Sequence, residues 1–172
     1  MDSATMGARM GSVTVREEPA RTVAYLRMHG PYAQIPDGLE RLHGYLERRR
    51  LTAAGPPVGV FFTDPKKVPE AQARWELRWA IAQHNPDEEP AEEDGVGIHT
   101  LDARTLAVTI HTGPYGAVAP VYAHVVAWIE EHGYKVVGPP EEAYLSEPDT
   151  PQERIQTEVR FPVAHAPVSY GR

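Results

Sequence analysis

Apolar residues recur along this chain with a helical period at two places. Ile35, Leu39, Leu42 and Leu46 step by four, three and four, which sets them on one helix face. Val118, Tyr122, Val125 and Ile129 repeat the spacing 83 positions later (35 to 118, 46 to 129). Strand-like runs precede each helix: "SVTVREE" and "TVAYLRMH" before the first, "GVGIHTLD" and "TLAVTIHT" before the second. Two more follow each: "VGVFFTD" and "ARWELRWAI", then "EEAYLSE" and "IQTEVRFPV". The order β-β-α-β-β is thus written twice.

The same offset aligns individual residues. Gly30-Pro31-Tyr32 falls on Gly113-Pro114-Tyr115, and Gly55-Pro56-Pro57 on Gly138-Pro139-Pro140. One deletion then brings Glu76 onto Glu158 and Arg78 onto Arg160. Chance can match a tripeptide, but not also the helix phase and the closing strand, so the chain is an internal duplication. Gly-Pro-Tyr has a mechanical role at each strand-to-helix turn. Gly takes the unusual dihedrals and Pro fixes φ. Gly133 ends the second helix. The predicted organisation is a tail over 1–11, a domain over 12–163 and a second tail over 164–172. Within the domain, half one is 12–82, a linker 83–94 and half two 95–163. The fold class is α+β: tandem units forming a pseudo-two-fold antiparallel sheet, with helices on one side and a ligand cleft on the other.

Composition narrows the functions. The chain has 172 residues, a formal net charge of −7 and no cysteine, which excludes disulfides, thiolate metal sites and a cysteine nucleophile. Most of the negative charge lies in "NPDEEPAEED", Asn85 to Asp94, with six acids and no base. The remainder is near neutral, without the basic stripe that nucleic-acid binding requires. No apolar run approaches a membrane span, and the N-terminus lacks the apolar core of a signal peptide. The expected compartment is the cytoplasm. Eight histidines show no metal-ligand spacing, and there is no P-loop or GxGxxG. No cofactor and no metal are expected.

Strand alternation proposes a site. Trp75, Leu77 and Trp79 oppose Arg74, Glu76 and Arg78. Val159 and Phe161 oppose Glu158 and Arg160. With the apolar sets packed under the helices, Glu76 and Glu158 point from the helix-free face. The same reasoning sends Val60, Phe62, Leu106, Val108 and Ile110 to the helices. Phe61, Tyr144, Leu26, Met28, Thr109 and His111 then lie on the open face. Phe61, Tyr144, Met28 and His111 around two carboxylates would make a small-molecule cleft suited to a cationic ligand. The plainer alternative is that both glutamates are paired with neighbouring arginines. Tyr32 and Tyr115 either face a groove or only pack their turns.

The tandem layout, the paired "GPY" and the ending "EEAYLSEPDTPQERIQTEVRFPV" resemble the GyrI-like small-molecule-binding domain, the effector-binding domain of multidrug-responsive bacterial regulators. The resemblance covers about residues 12–163. It implies capture of lipophilic, often cationic, compounds between two halves, with a buried acid at Glu158 and an aromatic partner at Tyr144. Glu76, Phe61 and Trp79 are looser transfers, and Trp79 conflicts with the alternation above. The regulators carry a helix-turn-helix ahead of this domain. Only about eleven residues precede the first strand here, so a stand-alone form without direct nucleic-acid binding is expected, with monomer as the expected state. Haem binding, as in similar SOUL-type proteins, has no distinctive ligand signal.

Three functions follow from the resemblance. The first is a capture module for lipophilic, cationic or planar compounds, serving toxin or drug resistance. The second is a hydrolase opening strained cyclopropane rings, with Glu158 activating water, Tyr144 stabilising developing charge and His111 as a second proton carrier. The third is a protein-interaction role, with a topoisomerase such as gyrase or a regulator as the partner.

Overall fold

A computed structural model describes residues 9–82 and 91–167. It shows an α+β architecture, and the strand pairings described below are antiparallel. In chain order the elements are β1 (Arg9–Met10), β2 (Thr14–Glu18), β3 (Arg21–His29), α1 (Ile35–Arg48), β4 (Thr52–Ala53), β5 (Val58–Phe61), β6 (Arg74–Ala82), β7 (Val96–Leu101), β8 (Arg104–Thr112), α2 (Ala119–Glu131), β9 (Tyr134–Val136), β10 (Glu141–Tyr144) and β11 (Gln156–His165). The acidic stretch lies outside the described residues except for residues 91–94.

The chain divides into two compact units. One holds Pro19–Ala103 with Pro140–Tyr144. The other holds the described residues up to Glu18, Arg104–Pro139 and those from Leu145 on. The first strand of each repeat is exchanged. β2 pairs with β8 of the second repeat, and β7 pairs with β3 of the first. The α1 unit also takes β10, which pairs with β5. β11 runs to His165, where Ala164 and His165 pair with β9.

In the α1 unit, strands run in the order β10-β5-β6-β3-β7. Leu42, Tyr45 and Leu46 of α1 pack on Ala24, Leu26, Trp75, Leu77, Val96 and Ile98. Full burial of a leucine stabilises by about 1.5–3 kcal/mol, so the apolar stripe fixes this face. Pro36 opens the helix, where its missing N–H costs nothing. The helix ends in a Schellman arrangement: Leu51 N–H donates to Leu46 O at 2.9 Å and Arg50 N–H to Glu47 O at 3.1 Å. Arg50 takes the left-handed position there, with φ 56°. Gly38 brings the helix close to the sheet, since a Cβ there would lie 2.6 Å from Leu77 Cδ1.

In the α2 unit, β8 lies between β11 and the strands β1 and β2. Val121, Val125 and Ile129 of α2, all fully buried, pack on Ala107, Val159, Phe161 and Val163. Gly133, with φ 79°, follows the helix.

Candidate functional site

Cross-strand register decides which side chains share a face, because directly opposed residues point the same way. In the α1 unit Met28 and Phe61 both sit opposite Trp75, and Leu26 and Gly59 opposite Leu77. Leu77 and Trp75 belong to the α1 core. Phe61, Leu26 and Met28 therefore lie on the helix side, which corrects the expectation that they line the helix-free face. Val60, opposite Glu76, takes the helix-free side instead. Next along, Glu142 sits opposite Gly59, so Glu142 and Tyr144 join the helix side while Glu141, opposite Val60, does not.

The other unit makes the same correction. His111 is opposite Thr157, Thr109 opposite Val159 and Ala107 opposite Phe161. Thr109 and His111 thus lie on the α2 side, and Leu106, Val108 and Ile110 share the face of Glu158. Phe62 is half exposed rather than packed under a helix. The alternation misleads because the helix-free face is buried as well. Val60 and Leu106 are fully buried on it, so these strands carry buried residues on both sides.

The helix side of the α1 unit gathers an acid and aromatic rings. The Tyr32 ring stands edge-on to Phe61 at 5.4 Å and to Trp75 at 5.6 Å, and Phe61 stacks on Trp75 at 6.4 Å. Trp75 Nε1 donates to Gly30 O at 2.9 Å, tying the cluster to the Gly-Pro-Tyr turn. Tyr144 Oη donates to Glu142 Oε1 at 3.4 Å. Gly59 lets Phe61 and Tyr144 close over the strand: a Cβ there would lie 2.8 Å from Tyr144 Oη and 2.9 Å from Phe61 Cζ. Burial pushes the Tyr32 hydroxyl above the ordinary tyrosine range, a hydrogen bond with Thr63 opposes this, and the charges of Glu70 and Glu142 add to it.

The remaining candidates lie elsewhere. Glu76 is buried on the helix-free face and pairs with Arg78, which also lies 3.9 Å from Glu141. Trp79 is further along β6, donates to Gly55 O at 2.8 Å and packs near His43. In the α2 unit, Glu158 is held by Arg16 at 2.8 Å and Arg160 at 2.8 Å. Burial alone would push its carboxyl up, but the hydrogen bonds from Arg16 and Arg160 outweigh it and hold the group below the usual range. A carboxylate already doubly paired has little left to offer a cation. His111 is fully buried and bonded to Pro114 O, and Tyr115 is largely exposed on its turn. Tyr32, Phe61, Met28 and Tyr144 are brought onto one face of the α1 unit. Sequence reasoning missed Trp75 and Glu142, although the alternation of "EEAY" already sets Glu142 beside Tyr144. Among the described residues no group of acids and histidines is placed to hold a metal, and no helix is long and apolar enough to cross a membrane.

Comparisons with known proteins agree with the architecture. EcmrR, in a complex with DNA, superposes with a TM-score of 0.77 at 18% identity; the match covers 90% of this chain and 58% of that one. This chain therefore spans somewhat over half of that protein. The isolated EcmrR C-terminal domain gives 0.72 at 20% identity, covering 91% and 99%. A hydrolase from Listeria innocua gives 0.68 at 14% identity, covering 88% and 91%. SAV2435 bound to tetraphenylphosphonium gives 0.54 at 14% identity, covering 89% and 94%. At these identities the likeness is one of fold. No curated protein sequence matches the chain. The description "GyrI-like small molecule binding domain" matches residues 12–164, nearly the whole length. The chain belongs to the GyrI-like family of small-molecule-binding domains.

Proposed function

We propose that this protein captures lipophilic cations at the acid–aromatic cluster of the α1 unit, with Glu142 as the charge partner and Tyr32, Phe61 and Trp75 as the apolar and π surface. The observation that carries this reading is the register of β10 on β5, which sets Glu142 and Tyr144 on the face of Phe61 and Trp75. A cation over an aromatic face gains about 0.5–2 kcal/mol per good contact. A partly desolvated carboxylate adds an attraction of about 4 kcal/mol at 4 Å in an effective dielectric of 20, before desolvation is subtracted. One related protein, SAV2435, has been seen with tetraphenylphosphonium bound, which makes that cation a suitable first probe.

The test is calorimetric titration of tetraphenylphosphonium into wild type and Glu142→Gln. The expected result is a ten- to hundred-fold loss of affinity, about 1.4–2.8 kcal/mol, with the fold intact by circular dichroism. Equal affinity in the two proteins would remove Glu142 from the site.

A second reading draws on the contact between Tyr144 Oη and Glu142 Oε1. In a ring-opening hydrolysis, Glu142 would take a proton from water as its oxygen attacks the cyclopropane carbon. The cleaved C–C pair would pass into the conjugated carbonyl, whose oxygen Tyr144 would stabilise by a hydrogen bond. Multiple turnovers on a cyclopropane-bearing electrophile, lost in Glu142→Gln, would select this reading over simple capture.

A further inference from the structure

The two repeats fill the space beneath their Gly-Pro-Tyr turns differently. Below the first turn, the cross-strand pair on the helix side is Met28 and Trp75, and the indole N–H satisfies Gly30 O. Below the second, the equivalent pair is His111 and Thr157. The turns are otherwise anchored alike: Gly30 N–H donates to Ala73 O at 2.9 Å and Gly113 N–H to Ile155 O at 2.8 Å. Imidazole and hydroxyl thus replace a thioether and an indole. Together they carry fewer atoms, and Val121 in the place of Gly38 restores only part of the difference.

Both replacements bring polar atoms into the interior. His111 and Thr157 are 0% exposed. His111 Nε2 contacts Pro114 O at 3.0 Å. A carbonyl only accepts, so Nε2 carries the proton, and in the neutral ring Nδ1 is an acceptor. Nδ1 of His111 and Oγ1 of Thr157 are both buried without a hydrogen-bond partner among the described residues. Two orphaned groups on neighbouring positions are costly, at about 1–3 kcal/mol each. Directly opposed residues have Cβ atoms about 4.5–5.5 Å apart, so the two side chains are immediate neighbours.

We propose that His111 Nδ1 and Thr157 Oγ1 hold an internal water molecule beneath the second Gly-Pro-Tyr turn, where the first repeat has the Trp75 indole. The water donates to Nδ1 and accepts from the Thr157 hydroxyl. Buried waters make two to four such bonds and are costly to remove. The second turn is then polar and filled, which confines aromatic ligand surface to the first repeat.

The test is NMR on protein with 15N-labelled histidine, comparing wild type, Thr157→Ser and Thr157→Val. In wild type and Thr157→Ser, the His111 Nδ1 resonance is expected at the hydrogen-bonded value, and the ring protons show a cross-relaxation peak to a long-lived water. In Thr157→Val, which keeps the shape, the water peak weakens or disappears and Nδ1 moves towards the free value. A free Nδ1 in wild type, a bonded Nδ1 without a water peak (a direct bond to Thr157), or a spectrum unchanged by valine would each overturn the proposal. The wild-type spectrum decides even if a variant fails to fold.

Discussion

Two tryptophans on one strand allow the same substitution to be made in two environments. Trp75 and Trp79 both face α1, and both donate their indole N–H to the carbonyl of a glycine, Gly30 at 2.9 Å and Gly55 at 2.8 Å. Trp75 is 1% exposed, whereas Trp79 is only partly buried. Changing Trp75 to Phe leaves the buried Gly30 carbonyl without its partner, at about 1–3 kcal/mol. It also opens space beside Met28, Tyr32 and Phe61 that the close-packed core refills only in part. A total of about 3 kcal/mol is expected, a fall in Tm of about 6–12 °C for a domain of this size. For Trp79→Phe, water can satisfy Gly55 O, so the expected loss is about 1 kcal/mol, or 2–4 °C. Urea unfolding followed by circular dichroism measures both. Equal destabilisation by the two substitutions would refute the argument that burial of the Trp75 bond anchors the first turn.

Other outcomes follow from single features. Arg50→Gly relieves a non-glycine residue at φ 56° in the Schellman turn and should stabilise by about 1 kcal/mol, read as a higher urea midpoint. Gly59→Ala forces a methyl against Tyr144 Oη and Phe61, which must shift to admit it, so tetraphenylphosphonium affinity should fall about tenfold and the urea midpoint should fall by an amount worth about 1–3 kcal/mol. The Glu158 carboxyl is depressed in the folded state. Its stabilising contribution is therefore present above the ordinary carboxylate range near pH 4.3 and is lost as pH falls through the folded value. The gap in stability between wild type and Glu158→Gln should accordingly be wide at pH 7 and shrink by pH 3, measured by urea titration at both. A gap independent of pH would exclude the two arginine contacts as its cause.

Much of the fold is legible in the sequence because it is written twice. The helix phase of Ile35, Leu39, Leu42 and Leu46, the two Gly-Pro-Tyr turns and the four strands of each repeat all correspond to observed elements. The exchange of β2 and β7 between repeats is not legible, since nothing local in "SVTVREE" or "GVGIHTLD" names a pairing partner. The faces were read correctly on β6 and β11, where charged residues alternate with apolar ones. Alternation inverts them on β3, β5, β8 and β10, where buried residues lie on both faces and period two carries no sign. The candidate site shifted for that reason. Tyr144, Phe61, Met28 and Tyr32 do share a face, but it is the helix side, and its acid is Glu142. Glu158 aligns with Glu76 in the repeat. The two also share a structural feature, since each pairs with the arginine two residues on, Arg78 and Arg160.

The most direct measurement of where ligand binds uses the indole N–H signals of Trp75, Trp79 and Trp128. A 15N–1H spectrum would be recorded as tetraphenylphosphonium is added to wild type and to Glu142→Gln. The account predicts that the Trp75 signal moves first and saturates at one ligand per chain, that Trp79 and Trp128 stay within a small fraction of that shift, and that Glu142→Gln needs at least tenfold more ligand for the same change. A stationary Trp75 signal, with saturable shifts confined to residues around Glu158 and Arg160, would contradict it and return the site to the other carboxylate.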